Sequence, residues 1–466
     1  MLFAHLSRSV LSRLLAAAVL SLALACGGGG GGSTPSRPAG AWGAAQSLET
    51  NLLSDSYYPQ VAVDETGRAL VVWFRLSGPS GPADIWAKVY TPGQGWQPEG
   101  TIESMDGDAR YPVVSVGGDG TFLVAWQHTP VGQSSSIWAN RYIPGSGWSG
   151  PLQISAGTTG AYFPALASDA VGNAILAWEQ LNASGYYEVQ ASRYASTGAW
   201  SYPVILGTST ATNNFGPQVA MDPAGNGLVA WNRAQDTATS PYAVCAVPYR
   251  AGTGWQIPAS VPSLQAGVEG MDDAYGCSLS MSSAGAVLGW AETLNGTNYR
   301  PYARIWNTAS GTWSAAATVS TALDCSAPQV GIDASGKVHA AWIQYSGSVW
   351  NDIYVASYAP NGTWTVSPQP VDTLAGGIGY LTLSVNPAGS ASLVWNQGNG
   401  SGSVASIYAL RYEPSRGWNT PALLETDETG TAYAPVIRLN SAGTAFATWY
   451  QKDAAGLRHI YGNRWN

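Results

Sequence analysis

The residues of this sequence that could take part in recognition are aromatic rings that recur beside carboxylates. Equivalent positions, each just before a short apolar run, hold Tyr57, Arg110, Tyr162, Phe215, Tyr275 and Tyr433. The nearby carboxylates are Asp106, Asp108, Asp324 and Asp427, and an insertion adds Asp272 and Asp273. Aromatic faces stack on sugar rings and carboxylates accept hydrogen bonds from hydroxyl groups, so this combination indicates a carbohydrate-binding surface.

The residues that catalysis usually requires are sparse. Four histidines are isolated along the chain: His5, His128, His339 and His459. The sequence contains no Gly-x-Ser-x-Gly, His-Glu-x-x-His or Cys-x-x-Cys motif. We therefore expect no catalytic residue, no metal and no cofactor, and we favour a binding protein over an enzyme.

Composition argues against a helical protein and against a nucleic-acid partner. Charged residues make up 10% of the 466 residues and the formal net charge is −8, whereas about a quarter of an average chain is charged. The 56 glycines and 21 tryptophans favour short strands and tight turns with aromatic packing between sheets. No basic patch is present to neutralise phosphates.

Internal repeats decide the fold. Eight tryptophans each close an apolar run, and their successive spacings are 53, 52, 53, 59, 52, 53 and 54 residues. These are Trp73, Trp126, Trp178, Trp231, Trp290, Trp342, Trp395 and Trp449. A second set, usually after glycine, comprises Trp96, Trp148, Trp200, Trp255, Trp313, Trp364 and Trp418, with Trp42 ahead of the first repeat.

Each repeat predicts four short strands, A to D. Strand A alternates bulky residues such as Val61 with small ones such as Ala62, and Arg438 is the only large residue on the small face. Sheets of this kind stack face to face. An Asp or Asn three residues before the A–B turn glycine, as in Asp64 and Gly67, predicts turn capping, since a calcium loop would need several acids. The arginines that recur on strand C are expected to face solvent: Arg141, Arg193, Arg411 and Arg464.

The two ends of the chain predict a closed ring. Residues 460–466 match strand C with no strand D after it, and residues 41–50 match the missing strand. We therefore predict an all-β fold over residues 41–466, a single eight-bladed β-propeller of four-stranded blades in which the N-terminal strand completes the last blade. The recurrent aromatic positions would then ring the mouth of the central channel, where they either bind a ligand or plug the channel.

The N-terminal segment predicts export. Residues 1–25 carry Arg8 and Arg13 before an apolar run too short to span a bilayer. Cys26 follows Ala-Leu-Ala and begins a glycine-rich tether over residues 26–40. This arrangement resembles a bacterial lipoprotein signal, which implies lipidation of Cys26 and an outer-membrane or cell-surface location, although Ala23 stands where that family usually has Leu. Ala-Leu-Ala is also an ordinary secretory cleavage pattern, so simple secretion is the alternative.

The Asp-x-x-Gly turn, the strand ending in Trp and the Gly-x-Gly-Trp turn make residues 42–466 resemble β-propeller lipoproteins and the lectin-like or sialidase-like propellers of bacteria. The resemblance implies an envelope or cell-surface module that binds a glycan or an envelope protein. We expect a monomer that contacts the membrane only through its lipid. Two alternatives stay open, a sialidase-like glycoside hydrolase and a non-catalytic scaffold for envelope assembly.

Three further cysteines are present: Cys245, Cys277 and Cys325. Cys277 begins strand A of the fifth blade and Cys325 shortly precedes strand A of the sixth. Neighbouring inner strands in an oxidising compartment suggest a Cys277–Cys325 disulfide, and three free thiols are the alternative.

The lipoprotein hypothesis predicts that replacing Cys26 with Ser moves the protein from the membrane fraction to the soluble fraction. The expected shift is complete, because the glycine-rich tether has no apolar surface of its own to hold a bilayer. Fractionation of cells that express each form measures it. A wild-type protein that is already soluble would support simple secretion instead.

Overall fold

The computed structural model describes residues 40–207, 212–234, 242–257, 273–293, 298–346, 349–360, 362–372, 374–398, 404–425 and 430–465. These residues form eight antiparallel sheets, the blades of a β-propeller. Within these ranges the chain forms strands and turns without helices, and so no helix there is long and apolar enough to cross a membrane. The predicted all-β, eight-bladed fold is confirmed.

Each blade takes its strands in chain order from the channel outward. The A strands are Ser56–Val63, Asp108–Val116, Ala161–Ser168, Asn214–Met221, Asp273–Ser282, Gln329–Ile332, Ile378–Val385 and Ala432–Leu439. The B strands are Ala69–Leu76, Phe122–Thr129, Ala174–Leu181, Gly227–Ala234, Gly285–Thr293, Val338–Ser346, Ala391–Gly398 and Ala445–Lys452. The C strands are Ala83–Thr91, Ser136–Ile143, Tyr187–Ala195, Tyr242–Arg250, Tyr299–Asn307, Val349–Tyr358, Ala405–Glu413 and Arg458–Trp465.

Strand D is short and in five blades consists of two segments that both pair with strand C. The first segments are Gly95–Trp96, Gly147–Trp148, Ala199–Trp200, Gly254–Trp255, Thr312–Trp313, Trp364–Val366 and Gly417–Trp418. The second segments are Gly100–Thr101, Leu152–Gln153, Val204–Gly207, Ala317–Thr318 and Ala422–Leu423. Blade 8 takes its outer strand, Gln46–Ser47, from the other end of the chain.

The N-terminal strand closes the ring, as predicted. Gln46 pairs with Gly462, and Trp42 forms an isolated bridge with Trp465. This reproduces a contact found in the other seven blades, where the strand D tryptophan packs against an aromatic residue of strand C at centroid distances of 5.1–5.5 Å. The Trp42–Trp465 rings lie 5.7 Å apart. The two chain ends therefore build the eighth copy of the repeating aromatic pair.

The strand B tryptophans form the centre of the blades, and all eight are 0% exposed. Burial leaves each indole N–H in need of an acceptor. In four blades a Gln or Glu two residues later supplies it, as in the 3.0 Å bond from Trp178 to Gln180. In blade 1 the acceptor is Glu49 of the N-terminal segment, at 3.1 Å from Trp73. The strand B position two residues after the tryptophan thus supplies the indole acceptor in half of the blades.

The A–B turns have the capping role that the sequence predicted. Asp64 Oδ1 accepts hydrogen bonds from the backbone N–H groups of Thr66 and Arg68 at 2.9 and 2.8 Å. Gly67 closes the turn with φ 83°, a conformation that favours glycine. Neighbouring turns also bond one another, since Asn440 Nδ2 donates to the Asp64 carbonyl at 3.1 Å.

The expectation that the strand C arginines face solvent is wrong. Each crosses to an aromatic residue of the next blade. Arg141 donates to the Tyr194 hydroxyl and Arg464 to the Tyr90 hydroxyl, both at 2.6 Å. Arg193 lies 5.5 Å from the Tyr249 ring centroid, and Arg411 lies 4.7 Å from that of Trp465. Cation–π contact with the next blade shields these guanidinium groups and joins the blades at their outer strands.

The Cys277–Cys325 disulfide is not formed, and Cys245, Cys277 and Cys325 are free thiols. The Cys277 sulfur lies 4.0 Å from the Gly216 carbonyl oxygen, on the blade 4 side of its strand. The Cys325 sulfur instead lies 3.6 Å from the carbonyl oxygen of Ala322 in its own connection. Because strand A of a blade presents successive side chains to opposite neighbours, adjacency of the strands does not bring these two sulfurs together.

Closure of the ring depends on Glu49, which is buried where blades 8 and 1 meet. Its carboxylate accepts hydrogen bonds from Ser56 Oγ at 2.6 Å, Trp73 Nε1 at 3.1 Å and Ile460 N at 2.8 Å. Arg75 Nη1 lies 3.4 Å away. One side chain therefore ties the N-terminal segment to both terminal blades.

Replacing Glu49 with Ala is expected to lower the free energy of unfolding by roughly 3 kcal/mol, because it leaves Arg75 and the Trp73 indole buried without their acceptor. Chemical unfolding followed by tryptophan fluorescence measures the change. Glu413→Ala, at the end of strand C of blade 7, is the matched control and should have little effect on the free energy of unfolding. A chain that starts at residue 52 should lose at least as much stability as Glu49→Ala. If Glu49→Ala and the chain that starts at residue 52 were both as stable as wild type, closure of the ring by this segment would be contradicted.

Candidate functional site

The residues that the sequence analysis proposed for a binding site and that the structure describes lie toward one end of the propeller. Strand A begins and strand B ends there, because the two strands are antiparallel in every blade. We call this end the loop face, since the D–A and B–C connections lie on it. The opposite end carries the short, regular A–B turns.

In seven of the eight blades strand A contains a bulge on the loop face, where its pairing with strand B shifts register near the start of the strand. In three of these blades the bulge holds an aromatic residue in a left-handed conformation, namely Tyr58 with φ 50°, Tyr111 with φ 54° and Phe163 with φ 48°. The equivalent residues of blades 4 and 5 are Gly216 and Gly276, with φ 63° and 60°. Glycine adopts this conformation freely, whereas a bulky side chain in it costs on the order of 1 kcal/mol.

The bulge moves the predicted aromatic ring inward. Tyr57 is half-buried, with its ring 5.4 Å from that of Phe74 and its hydroxyl 3.1 Å from Arg458 Nη1. Tyr433 stacks on Tyr450 at 5.5 Å. These predicted residues thus support neighbouring aromatic rings rather than present an open face.

Three further predicted positions are also packed. Arg110 forms an ion pair with Asp108 at 2.7 Å. Tyr162 packs edge-on against Tyr187 at 5.7 Å. Phe215 packs perpendicular to Tyr242 at 5.3 Å. Arg110 also lies 5.3 Å from the ring centroid of Phe74 in blade 1. Whether these positions share a binding surface stays a prediction.

The remaining predicted residues lie wholly or partly outside the described residues. Asp272 and the lipidation site Cys26 fall outside the described ranges. Asp273 and Tyr275 are described through their backbone, which opens strand A of blade 5. Their place in a binding surface stays a prediction.

Two exposed aromatic residues, Tyr58 and Phe163, directly follow predicted residues, and Tyr380 holds the equivalent position in blade 7. Tyr58, Phe163 and Tyr380 are 43%, 47% and 50% exposed. Tyr111 and Tyr450 are half-buried between them. We call these five residues the aromatic crescent. They come from blades 7, 8, 1, 2 and 3, which are consecutive around the closed ring.

Ring contacts join most of the crescent. The centroid of Phe163 lies 5.1 Å from that of Tyr111, and Tyr111 lies 5.8 Å from Tyr58. Tyr58 lies 6.4 Å from Tyr450. Burial, and after it the neighbouring hydroxyls of Tyr380 and Tyr111, raises the pKa of Tyr58. The Tyr58 hydroxyl therefore stays protonated at neutral pH and can donate a hydrogen bond.

The sequence contains a pattern that marks part of the aromatic crescent, but an analysis based on strict alternation along strand A does not detect it. Tyr58, Tyr111 and Phe163 each stand directly before a proline and directly after one of the predicted binding residues. A residue before proline is restricted and avoids the helical region. A bulge inserts one extra residue and shifts which side chain turns outward. Reading the pre-proline aromatic residues as a separate repeat would have found three of the five rings.

Glu179 is a carboxyl with a strongly perturbed pKa beneath this face. It pairs across strands with Tyr162 and is 6% exposed. The N–H of Gly216 in the next blade donates to it at 2.8 Å. Burial outweighs this hydrogen bond and raises the pKa of Glu179 to about 7. Near neutral pH a large share of Glu179 is thus uncharged.

No protein-family model and no curated protein sequence matches this chain. Among solved structures it is similar to the BP39L lectin from Burkholderia pseudomallei, with 14% identity and a TM-score of 0.49 over 80% of this chain and 99% of that chain. It is similar to an α-L-arabinanase from Penicillium chrysogenum, with 12% identity and a TM-score of 0.41 over 91% and 98%. It is also similar to the Hadza microbial sialidase Hz136, with 14% identity and a TM-score of 0.36 over 67% of this chain and 65% of that chain. Similarities this distant carry no conclusion about function.

The buried carboxyl predicts a specific pH dependence of stability. Between pH 4.5 and about 7 the folded protein keeps a proton on Glu179 that the unfolded chain has lost, so the free energy of unfolding falls as pH rises. Glu179→Gln removes this effect. The variant should be more stable than wild type at pH 8, by at most about 3 kcal/mol, and equal to it near pH 4. Unfolding curves at both pH values measure the difference, and a constant difference would contradict the assignment.

Proposed function

We propose that this protein binds a glycan on the loop face without catalysing a reaction, and that the aromatic crescent is its stacking surface. The observation that carries the proposal is the exposure of Tyr58, Phe163 and Tyr380, at 43–50%, within one band of adjoining rings. Large apolar groups grouped on a surface usually mark a binding site. Tyr58 and Phe163 also sit in a strained backbone conformation, which is concentrated at ligand sites in proteins.

The chemistry of the crescent suits a sugar better than an apolar ligand. Tyrosine offers an aromatic face together with a hydroxyl that donates and accepts hydrogen bonds. The neighbouring groups are polar, since Asp55 accepts a 2.8 Å hydrogen bond from the backbone N–H of Arg458 beneath Tyr57. A pyranose has apolar C–H faces and a hydroxyl rim, and this surface complements both. A protein partner with exposed aromatic residues is the competing occupant.

Glycoside hydrolysis is the second candidate, and Glu179 is the observation that favours it. A buried carboxyl with a pKa of about 7 has the protonation state of a general acid at neutral pH. Hydrolysis by the usual routes needs a second carboxylate on the other side of the scissile bond. Glu179 instead has a backbone N–H of Gly216 as its bonded partner. Release of reducing ends from a bound glycan, abolished by Glu179→Gln, would establish hydrolysis over binding alone.

We also propose that the propeller acts outside the cytoplasm on a tether. The export signal at residues 1–25 and Cys26 support this location. The tether over residues 26–40 would let the loop face reach ligands away from the membrane. Because the ring is closed by residues 42–49, the tether ends where the fold begins.

Replacing both Tyr58 and Phe163 with Gly is expected to weaken glycan binding at least tenfold. Each lost stacking ring costs about 1 kcal/mol, and 1.4 kcal/mol corresponds to a factor of ten. Glycine is chosen because Gly216 and Gly276 already occupy this position in blades 4 and 5, so the bulge should persist. A glycan array identifies the ligand, and calorimetry on the best hit measures the loss.

Tyr202→Ala is the matched control, since Tyr202 is 80% exposed and lies outside the crescent. It should leave affinity unchanged. Full affinity in the double variant would overturn the crescent as the site. An array on which the wild-type protein binds no glycan would overturn the proposed ligand class and favour a protein partner.

A further inference from the structure

One residue breaks the pattern of the channel. At the small-face position of strand A, seven blades hold Ala62, Ser115, Ala167, Ala220, Ser280, Gly331 and Ser384. Blade 8 holds Arg438. A channel built from eight near-identical strands thus contains one long cationic side chain.

Arg438 projects into a cavity of about 440 Å³ on the axis of the propeller. The A strands of blade 1 and blades 3 to 8 line it. Its polar lining is neutral apart from Arg438 and comprises Gln60, Ser168, Gln218, Ser278, Ser280, Gln329, Thr382 and Ser384. No Asp or Glu belongs to the lining among the described residues.

The guanidinium of Arg438 has no counter-charge among the described residues. Its one hydrogen bond there runs from Nη1 to the carbonyl oxygen of the preceding residue, Ile437, at 2.8 Å. The side chain is exposed, and it lines the channel cavity. Burial lowers the pKa of Arg438, and no neighbouring carboxylate opposes the shift. A guanidinium has five N–H donors, so most of them are directed at the cavity or its solvent.

A guanidinium without a carboxylate partner is available to pair with an anion that enters the channel. By contrast, the four strand C arginines described above each contact an aromatic residue of the next blade. A bound anion would give Arg438 the partner that the chain does not provide. The cavity volume is also within the range of small-molecule sites.

We propose that the central channel is a binding site for a small hydroxylated carboxylate, such as an acidic monosaccharide, with Arg438 as its charge-recognising residue. The planar guanidinium matches a carboxylate through two parallel hydrogen bonds. The glutamine amides and the serine and threonine hydroxyls around it are suited to hydroxyl groups. This site lies within the channel and is separate from the aromatic crescent, so it does not depend on the glycan proposal.

The approach to the site is from the loop face. A second cavity, of about 350 Å³, lies at the A–B turn end and shares Ser168 and Ser280 with the first. Its lining includes the carboxylates of Asp64, Asp169 and Asp222. Negative charge at that mouth repels an anion, whereas the Arg438 cavity has none in its described lining.

Titration calorimetry of the wild-type protein with D-glucuronate tests the proposal, with D-glucose and inorganic phosphate as separate ligands. We expect binding of glucuronate that Arg438→Gln weakens at least tenfold. Arg416→Gln removes the same charge from an exposed turn of blade 7 and should leave binding unchanged. Equal binding of glucose and glucuronate, or binding of phosphate alone, would overturn the assignment to a carboxylate. Absence of glucuronate binding would overturn it as well.

Thermal unfolding distinguishes a loss of ligand binding in Arg438→Gln from a loss of folding stability. Without ligand, Arg438→Gln should melt at the same temperature as wild type or higher, because it removes an unpaired charge. Glucuronate should raise the midpoint of wild type but not of the variant. A variant that melts lower without ligand would show that Arg438 has a structural role and would overturn the proposal. The Tyr58→Gly, Phe163→Gly double variant should bind glucuronate normally, which separates failure of this site from failure of the crescent.

Discussion

Closure of the ring is the constraint on which the rest of the molecule depends, and a buried carboxylate holds it. Glu49 joins the N-terminal segment to strand C of blade 8 through Ile460 and to blade 1 through Ser56 and Trp73. Without that segment, blade 8 would expose the edge of its strand C, and Trp465 would lose its Trp42 partner. The central channel and the crescent both cross this junction. Their geometry therefore exists only in the closed molecule.

The blades are held together by two layers of contact that differ in chemistry. Near the axis, small side chains allow close approach, as where the hydroxyl oxygens of Ser115 and Ser168 lie 2.6 Å apart. At the outer strands, arginines such as Arg141 and Arg464 reach tyrosines of the next blade. A chain with 10% charged residues uses these few cations between blades rather than in water. Cation–π contacts of this kind retain their strength when partly desolvated.

Both proposed binding sites consist of residues that depart from the repeat. The bulge recurs around the loop face, yet aromatic rings occupy it in blades 1, 2 and 3 while Gly216 and Gly276 occupy it in blades 4 and 5. The channel position is small in seven blades and Arg438 in the eighth. The positions that hold the same kind of residue in nearly every blade are those that face-to-face packing of the blades requires. The positions that differ are free of that requirement, and they gather on one side of the loop face and at one place in the channel.

The sequence alone determined the blade count, the strand order and the closing strand, because each follows from the spacing of tryptophans and glycines that every blade needs for burial and turns. It also identified Asp64 and its equivalents as turn caps. It singled out Tyr57 and Tyr162 as candidate binding residues, whereas the exposed rings are those of Tyr58 and Phe163, one residue further along the chain. Alternation along a strand is a local rule, and a bulge that reverses it forms only when the strand meets its neighbours.

Contacts between blades were decided by the tertiary structure. Nothing in the spacing of Arg141 and Tyr194 shows that they meet, because they are 53 residues apart and on different sheets. For the same reason the adjacency of two strands did not bring Cys277 to Cys325, since side-chain direction matters as much as strand order. The isolation of Arg438 is also a property of the closed ring. A sequence shows one arginine among small residues, but only the assembled channel shows that no carboxylate of its described lining lies beside it.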